Sequence, residues 1–131
     1  MLIHILKKES FMKIKNKVGY CSNKILNLRD RQGKILPGGH YVYIREDNKN
    51  GTCNVNIITS LEKNGKYELN KINKIKNGYL YAIPKKDSNF SQWSAINLSG
   101  NIKNIKINNI QDIGKKKIPR RHLWYVGKFS K

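Results

Sequence analysis

The chain has 131 residues, with 27 Lys and Arg against 8 Asp and Glu and a net charge of +19, so its length suits one domain and its surface attracts polyanions. An apolar fraction of 38%, with seven Tyr, three Phe and two Trp, excludes a disordered basic tail. No apolar run approaches the roughly 18 residues of a membrane span, and residues 1 to 6 are too short for a signal-peptide core, so a cytoplasmic protein is expected.

The charge makes nucleic acid the first partner to consider and an acidic protein the second. Lys, Asn and Ile are used wherever they are tolerated, as in AT-rich coding DNA, so codon drift accounts for part of the lysine excess as readily as binding does. Cys21 and Cys53 show neither metal spacing nor a redox-pair motif and are expected as thiols. Met12 reads as an alternative start, with residues 1 to 11 a dispensable leader.

Residues 1 to 35 are expected to be a basic N-terminal extension or the first elements of the domain, with Ser22 capping a helical turn in SNKILNLRD. HYVYIRE at 40 to 46 alternates as a half-buried strand, NKNG turns, and TCNVNIITS alternates again with Cys53, Val55 and Ile57 on one face. The two form a hairpin with a five- or six-residue connection. Residues 63 to 78 read as a lysine-rich loop or protruding hairpin that touches a partner. YLYAIP at 79 to 84 is a strand stopped by Pro84, and SQWSAIN is another short strand after a Ser-Asn-Phe turn. A strand over 102 to 107 leads to a turn or short helix, and RRHLWYVGKF alternates as a closing strand. Short strands punctuated by Gly and Asn predict a mainly β fold, a small barrel with short helical or loop additions, over residues 36 to 131.

The eight acidic residues are scattered, with Glu46-Asp47 the only adjacent pair, which argues against a two-metal phosphodiesterase. There is no glycine-rich phosphate cradle and no zinc spacing, so no metal or cofactor is expected. What remains is metal-free chemistry, in which the 2′-OH of RNA attacks its own phosphate. That reaction needs a proton acceptor, a proton donor and hydroxyl or cationic groups around the developing charge. His40, His122, Thr59, Ser60 and the arginines are those residue types. Histidine titrates near neutrality and suits the proton transfer, although three histidines in a chain of this size also occur without any role.

Trp93, Trp124, Tyr43 and Tyr125 interleave with Lys and Arg, as single-stranded RNA requires for stacking and phosphate pairing. Within an alternating strand Trp124 reads more readily as core, whereas Trp93, flanked by Ser91, Gln92 and Ser94, is the better candidate for exposure. GKKKIPRRH at 114 to 122 is the densest positive run, so Lys115, Lys116, Lys117, Arg120, Arg121 and His122 are the candidate phosphate contacts. The same run is also what a solvated loop looks like.

Three segments in this order, GGHYVYIRED, VNIITS and NIKINNIQDIGKKKI, resemble the PemK/MazF-like toxins of bacterial toxin–antitoxin systems over roughly residues 36 to 119. The resemblance implies an SH3-like barrel, usually a homodimer. It also implies a metal-independent endoribonuclease acting on single-stranded RNA and neutralised by an acidic antitoxin. In that family an Arg-Pro turn acts on the scissile phosphate and a Thr or Ser at the strand end completes the site. Here Thr59 and Ser60 stand at the strand end, but the Arg-Pro position reads His40-Tyr41. Either His40 replaces the arginine as general acid or base, or the catalytic site has been lost. A histidine lacks arginine's bidentate fork, which leaves charge stabilisation to Arg45, Arg120, Arg121 or His122. A non-catalytic nucleic-acid-binding barrel is the alternative function, and a module recognising an acidic protein is a third.

Overall fold

The computed structural model describes residues 13–85 and 90–129. The leader expected over residues 1 to 11, and the start of the turn before Phe90, lie outside them. The elements are β1 (Val18–Ser22), α1 (Asn23–Leu26), β2 (Gly39–Asp47), β3 (Thr52–Ser60), β4 (Glu62–Lys63), β5 (Lys66–Tyr67) and α2 (Leu69–Lys76). They are followed by β6 (Leu80–Ile83), β7 (Ser94–Lys106), a 3₁₀ turn (Ile107–Asn109) and α3 (Arg120–Phe129). The fold is mainly β, organised on a five-stranded antiparallel sheet in the order β1-β2-β3-β7-β6. No helix among the described residues is long and apolar enough to cross a membrane.

The central hairpin forms between the two expected strands, but its connection is the four residues 48–51, shorter than the five or six expected, with Lys49 at φ 64° and Gly51 at φ +84°. Both of its faces are covered. Val42, Ile44, Cys53 and Val55 pack with Cys21, Leu26 and Ile105 on one face, while Tyr43 and Ile58 pack with Val18, Ile96 and Val126 on the other. Cys53, Val55 and Ile57 do alternate, but Ile57 is only half-buried and its neighbour Ile58 is buried too. A sheet with two apolar faces has less need of polar residues at every second position.

Three segments differ from the sequence reading. The SAIN part of SQWSAIN and residues 102–106 belong to one 13-residue strand, β7, while Ile107 opens the 3₁₀ turn. The strand stays continuous past its irregularity because the Asn97 side-chain oxygen accepts the backbone N–H of Ser99 and Gly100, each at 3.1 Å. Buried Asn56 donates its amide to the carbonyls of Asn97 and Gly100 at the same place. The lysine-rich arm is a short hairpin, β4–β5, followed by a helix, α2. Ile72 and Ile75, one helical turn apart, are its half-buried face, and the intervening Asn and Lys hide that periodicity.

The third correction is the expected closing strand, which is α3. His122 and Val126, four residues apart, are buried on one helix face, so the relevant period is that of a helix. Trp124, read as core, is 59% exposed, and Tyr125 is 47% exposed. Tyr43, read as a stacking residue, is instead buried, with its hydroxyl donating to Asn16 Oδ1.

Residues after the 3₁₀ turn return to the outer edge of β1. Tyr20 and Gln111 exchange two backbone hydrogen bonds of 2.7 Å, and the N–H of Gly114 donates to Val18 at 2.9 Å. Residues 18 to 22 are therefore part of the sheet.

Two outcomes follow from this packing. A Cβ on Gly39 would meet the Cys21 carbonyl oxygen at 2.5 Å, so Gly39→Ala is expected to force β1 from β2 and cost about 1–3 kcal/mol in a thermal or urea melt. Both thiols are free and buried, and burial, with Asp47 and Cys21 nearby, pushes the Cys53 thiol up to about 11. Alkylation at neutral pH should therefore wait for unfolding, which rapid labelling of native protein would contradict.

Candidate functional site

The PGGH turn sets the geometry. Gly38 adopts φ +80°, a left-handed conformation that an L side chain avoids, and the chain then enters β2. His40 pairs across from Cys21 of β1. On the other side Tyr41 faces Ile58, so the next step of the same register sets Thr59 across from His40. His40 and Thr59 thus lie in one cross-strand row, between the core beneath α1 and the smaller cluster of Leu61, Leu80 and Ala95 beneath α2.

Asn23 orients His40. It is the first residue of α1, whose N-cap Ser22 accepts from Ile25 N–H at 3.3 Å, and its side chain is buried. Its Nδ2 donates to the Pro37 carbonyl at 2.9 Å, while its Oδ1 lies 2.6 Å from His40 Nδ1. Turning the amide over would set its oxygen against that carbonyl, so Oδ1 must accept and His40 Nδ1 must carry the hydrogen. The ring is therefore held as the Nδ1–H tautomer, with the lone pair on Nε2. Burial, and then the positive charge of Lys71, hold the imidazole below its ordinary value of 6.5. At neutral pH the ring is uncharged, with Nε2 as an acceptor.

Lys71 reaches the same row from α2. Its Nζ donates to Thr59 Oγ1 at 3.1 Å and to the Ser60 carbonyl at 2.7 Å, and lies 3.4 Å from the Glu68 carboxylate. Ser60 has a different position. Its hydroxyl accepts from Glu62 N–H at 3.1 Å and lies 2.6 Å from Gln92 Oε1, which ties down the turn into β4. Of the three expected catalytic residues, the structure brings His40 and Thr59 together and uses the Ser60 side chain in the turn.

The expected nucleic-acid contacts lie elsewhere. Arg45 is five residues further along β2 from His40, about 16 Å of extended strand. Trp93 is half-buried against the Leu61, Leu80 and Ala95 cluster, edge-on to Tyr67 at 6.4 Å. Lys116 Nζ stands over Tyr41 and Phe90, 5.8 and 5.9 Å from the ring centres. Tyr41 follows His40 in β2 and projects from the opposite face, which therefore carries Lys116. Lys115, ion-paired to Asp112 at 3.0 Å, and exposed Lys117 belong to the same turn. Arg120 and Arg121 are exposed in the first turn of α3, which packs on that face through Val126 and Leu123. His122 is buried and hydrogen-bonded to the Tyr81 hydroxyl.

Sequence reasoning missed Asn23 and Lys71. Lys71 is one lysine among many until α2 forms, whereas Ser22 as a cap does signal that Asn23 opens a helix. Among the described residues no group of three or more His, Cys, Asp or Glu is placed to hold a metal ion. Comparison of the chain with family models and with curated proteins finds no match.

His40 should titrate below 6.5 in an NMR pH series, and Asn23→Asp, by placing a carboxylate at Nδ1, should raise its midpoint. Because the folded midpoint lies below the unfolded one, the unfolded chain takes up the proton first on acidification. Folding stability should thus fall as the pH drops below about 6.5, and His40→Gln should blunt that fall in urea melts.

Proposed function

We propose that this protein is a PemK/MazF-like endoribonuclease that cleaves single-stranded RNA without a metal ion, with His40 as its proton-transfer residue. The observation that carries this reading is the Asn23–His40 pair, which leaves Nε2 as a basic lone pair in the same row as the Thr59 hydroxyl. The proposed fold is an SH3-like barrel. The return of residues 111–114 to the edge of β1 supports it, since an otherwise open sheet gains a partner there.

In the proposed reaction Nε2 of His40 removes the proton of the ribose 2′-OH, and the 2′-oxygen bonds to the adjacent phosphorus. The P–O5′ bond breaks, and the imidazolium returns its proton to the departing 5′-oxygen. The products are a 2′,3′-cyclic phosphate and a 5′-hydroxyl, with no oxidant or water consumed. Thr59 donates to a non-bridging oxygen as charge builds there. The family likeness adds an acidic antitoxin and a homodimer as proposed partners, and the net charge of +19 suits both RNA and an acidic segment.

One observation favours a second reading, a nucleic-acid-binding protein that does not cut. The turn bearing Lys115, Lys116 and Lys117 is on the sheet face opposite His40, so a strand bound there need not meet the imidazole. Incubation of purified protein with a long mixed-sequence RNA in EDTA separates the two. Discrete cuts ending in cyclic phosphates are expected, with His40→Ala lowering the rate about 10²–10⁴-fold and Thr59→Ser retaining more activity than Thr59→Ala. Intact RNA that shifts on a gel, and is released by salt or by loss of Lys116 and Lys117, would favour the binding protein.

A further inference from the structure

We infer that Lys71 is the cation of the His40 site and that, with Thr59, it forms a binding subsite for a phosphodiester anion. The inference deepens the ribonuclease reading and rests on it for the identity of the ligand. Arginine is missing from the PGGH turn, and Arg45, Arg120 and Arg121 lie elsewhere on the molecule. The positive charge beside His40 comes from α2 instead.

The geometry distinguishes Lys71 from a surface lysine. Its side chain is 21% exposed, and two of its three N–H groups are committed to the end of β3, at Ser60 O and Thr59 Oγ1. These bonds pin the ammonium, so its charge is in place before any ligand arrives. The third N–H faces Glu68 across 3.4 Å, the longest of the three contacts and the one an incoming phosphate oxygen would replace.

Thr59 is prepared by the same bond. Its oxygen accepts from Lys71, so its own hydrogen points away from the ammonium. The acceptor within reach is the Ser60 carbonyl at 3.5 Å, a contact too long to compete with a phosphate oxygen. Two donors, the Lys71 ammonium and the Thr59 hydroxyl, therefore stand at the strand end across from His40. Among the described residues, the groups set near the imidazole are Lys71 from α2, Asn23 from α1 and Cys21 across the strand pair in β1; Glu68, just before α2, stands behind Lys71 as its ion-pair partner, and burial raises the Cys21 thiol. Only Lys71 among these offers a positive charge.

The test uses the full chain, inorganic phosphate as the probe, and the His40 imidazole signals as the readout. Phosphate should bind saturably and raise the His40 midpoint, since an anion beside the ring favours its protonated form. Lys71→Met should raise that midpoint without phosphate and weaken phosphate binding roughly ten-fold or more, as expected for loss of a charge-assisted contact. Lys71→Arg, which keeps the charge and reports if Met merely loosens the strand end, should preserve both effects. Glu68→Gln should tighten phosphate binding by freeing the third N–H.

Phosphate that does not bind, or a His40 signal indifferent to Lys71→Met, would overturn the inference. RNA cleavage undiminished in Lys71→Met would likewise remove Lys71 from the site while leaving the nuclease intact. Lys71-dependent phosphate binding in a protein that leaves RNA uncut would uphold the subsite and discard the nuclease.

Discussion

A single buried amide organises the His40 end of this sheet. Asn23 is held between α1 and the PGGH turn, and burial obliges every polar atom of its side chain to find a partner. Its backbone N–H takes the Gly38 carbonyl at 2.9 Å, its Nδ2 takes the Pro37 carbonyl, and its Oδ1 takes the His40 ring. One side chain thereby couples the start of β2, the helical turn after β1 and the tautomer of the imidazole. Replacing it with an apolar residue would strand the Pro37 carbonyl and release the ring together.

The second constraint is that the sheet has two covered faces, because strands buried on both sides cannot use alternation to separate core from surface. On one face α1 and the return of Ile110 cover the Val42 and Ile44 side, while α2 covers the Leu80 and Ala95 end. On the other, α3 and Phe90 cover Tyr41, Tyr43 and Ile96. Between the two covers of the first face, the row Cys21, His40, Thr59, Ala95 holds the polar pair. That gap is where Lys71 enters. The basic turn 115–117, anchored by Lys116 on the Tyr41 and Phe90 rings, belongs to the second face. Positive charge among the described residues is thus set on both faces, as a pinned ammonium beside Thr59 and as an exposed cluster on the other face.

Local signals were legible wherever the chain obeys one period or one cap. HYVYIRE and TCNVNIITS pair as read because alternation and an Asn-Lys-Asn-Gly turn specify a hairpin without help from the rest of the molecule. Ser22 caps a helical turn for the same reason. The arm at 63–78 opens with the expected hairpin, but its helix α2 and the C-terminal helix α3 are hidden in the sequence because short helices carry too few apolar residues to establish a 3.6-residue period. In α3 the His122 and Val126 pair is masked by Trp124 and Tyr125, which are apolar in composition yet point outward.

The amino-acid sequence by itself determined the central hairpin, the Thr59-Ser60 end of its second strand and the strongly basic character of the chain. These depend on residues close in the chain, where alternation, glycine and formal charge act directly. Only the tertiary structure decided that Asn23 would meet a ring 17 positions later and that a lysine from a helical arm would reach back 12 positions to Thr59. It also separated Ser60 from Thr59 and set the basic turn on the far face. Those choices come from strand register and helix docking, which select one asparagine and one lysine from a chain rich in both.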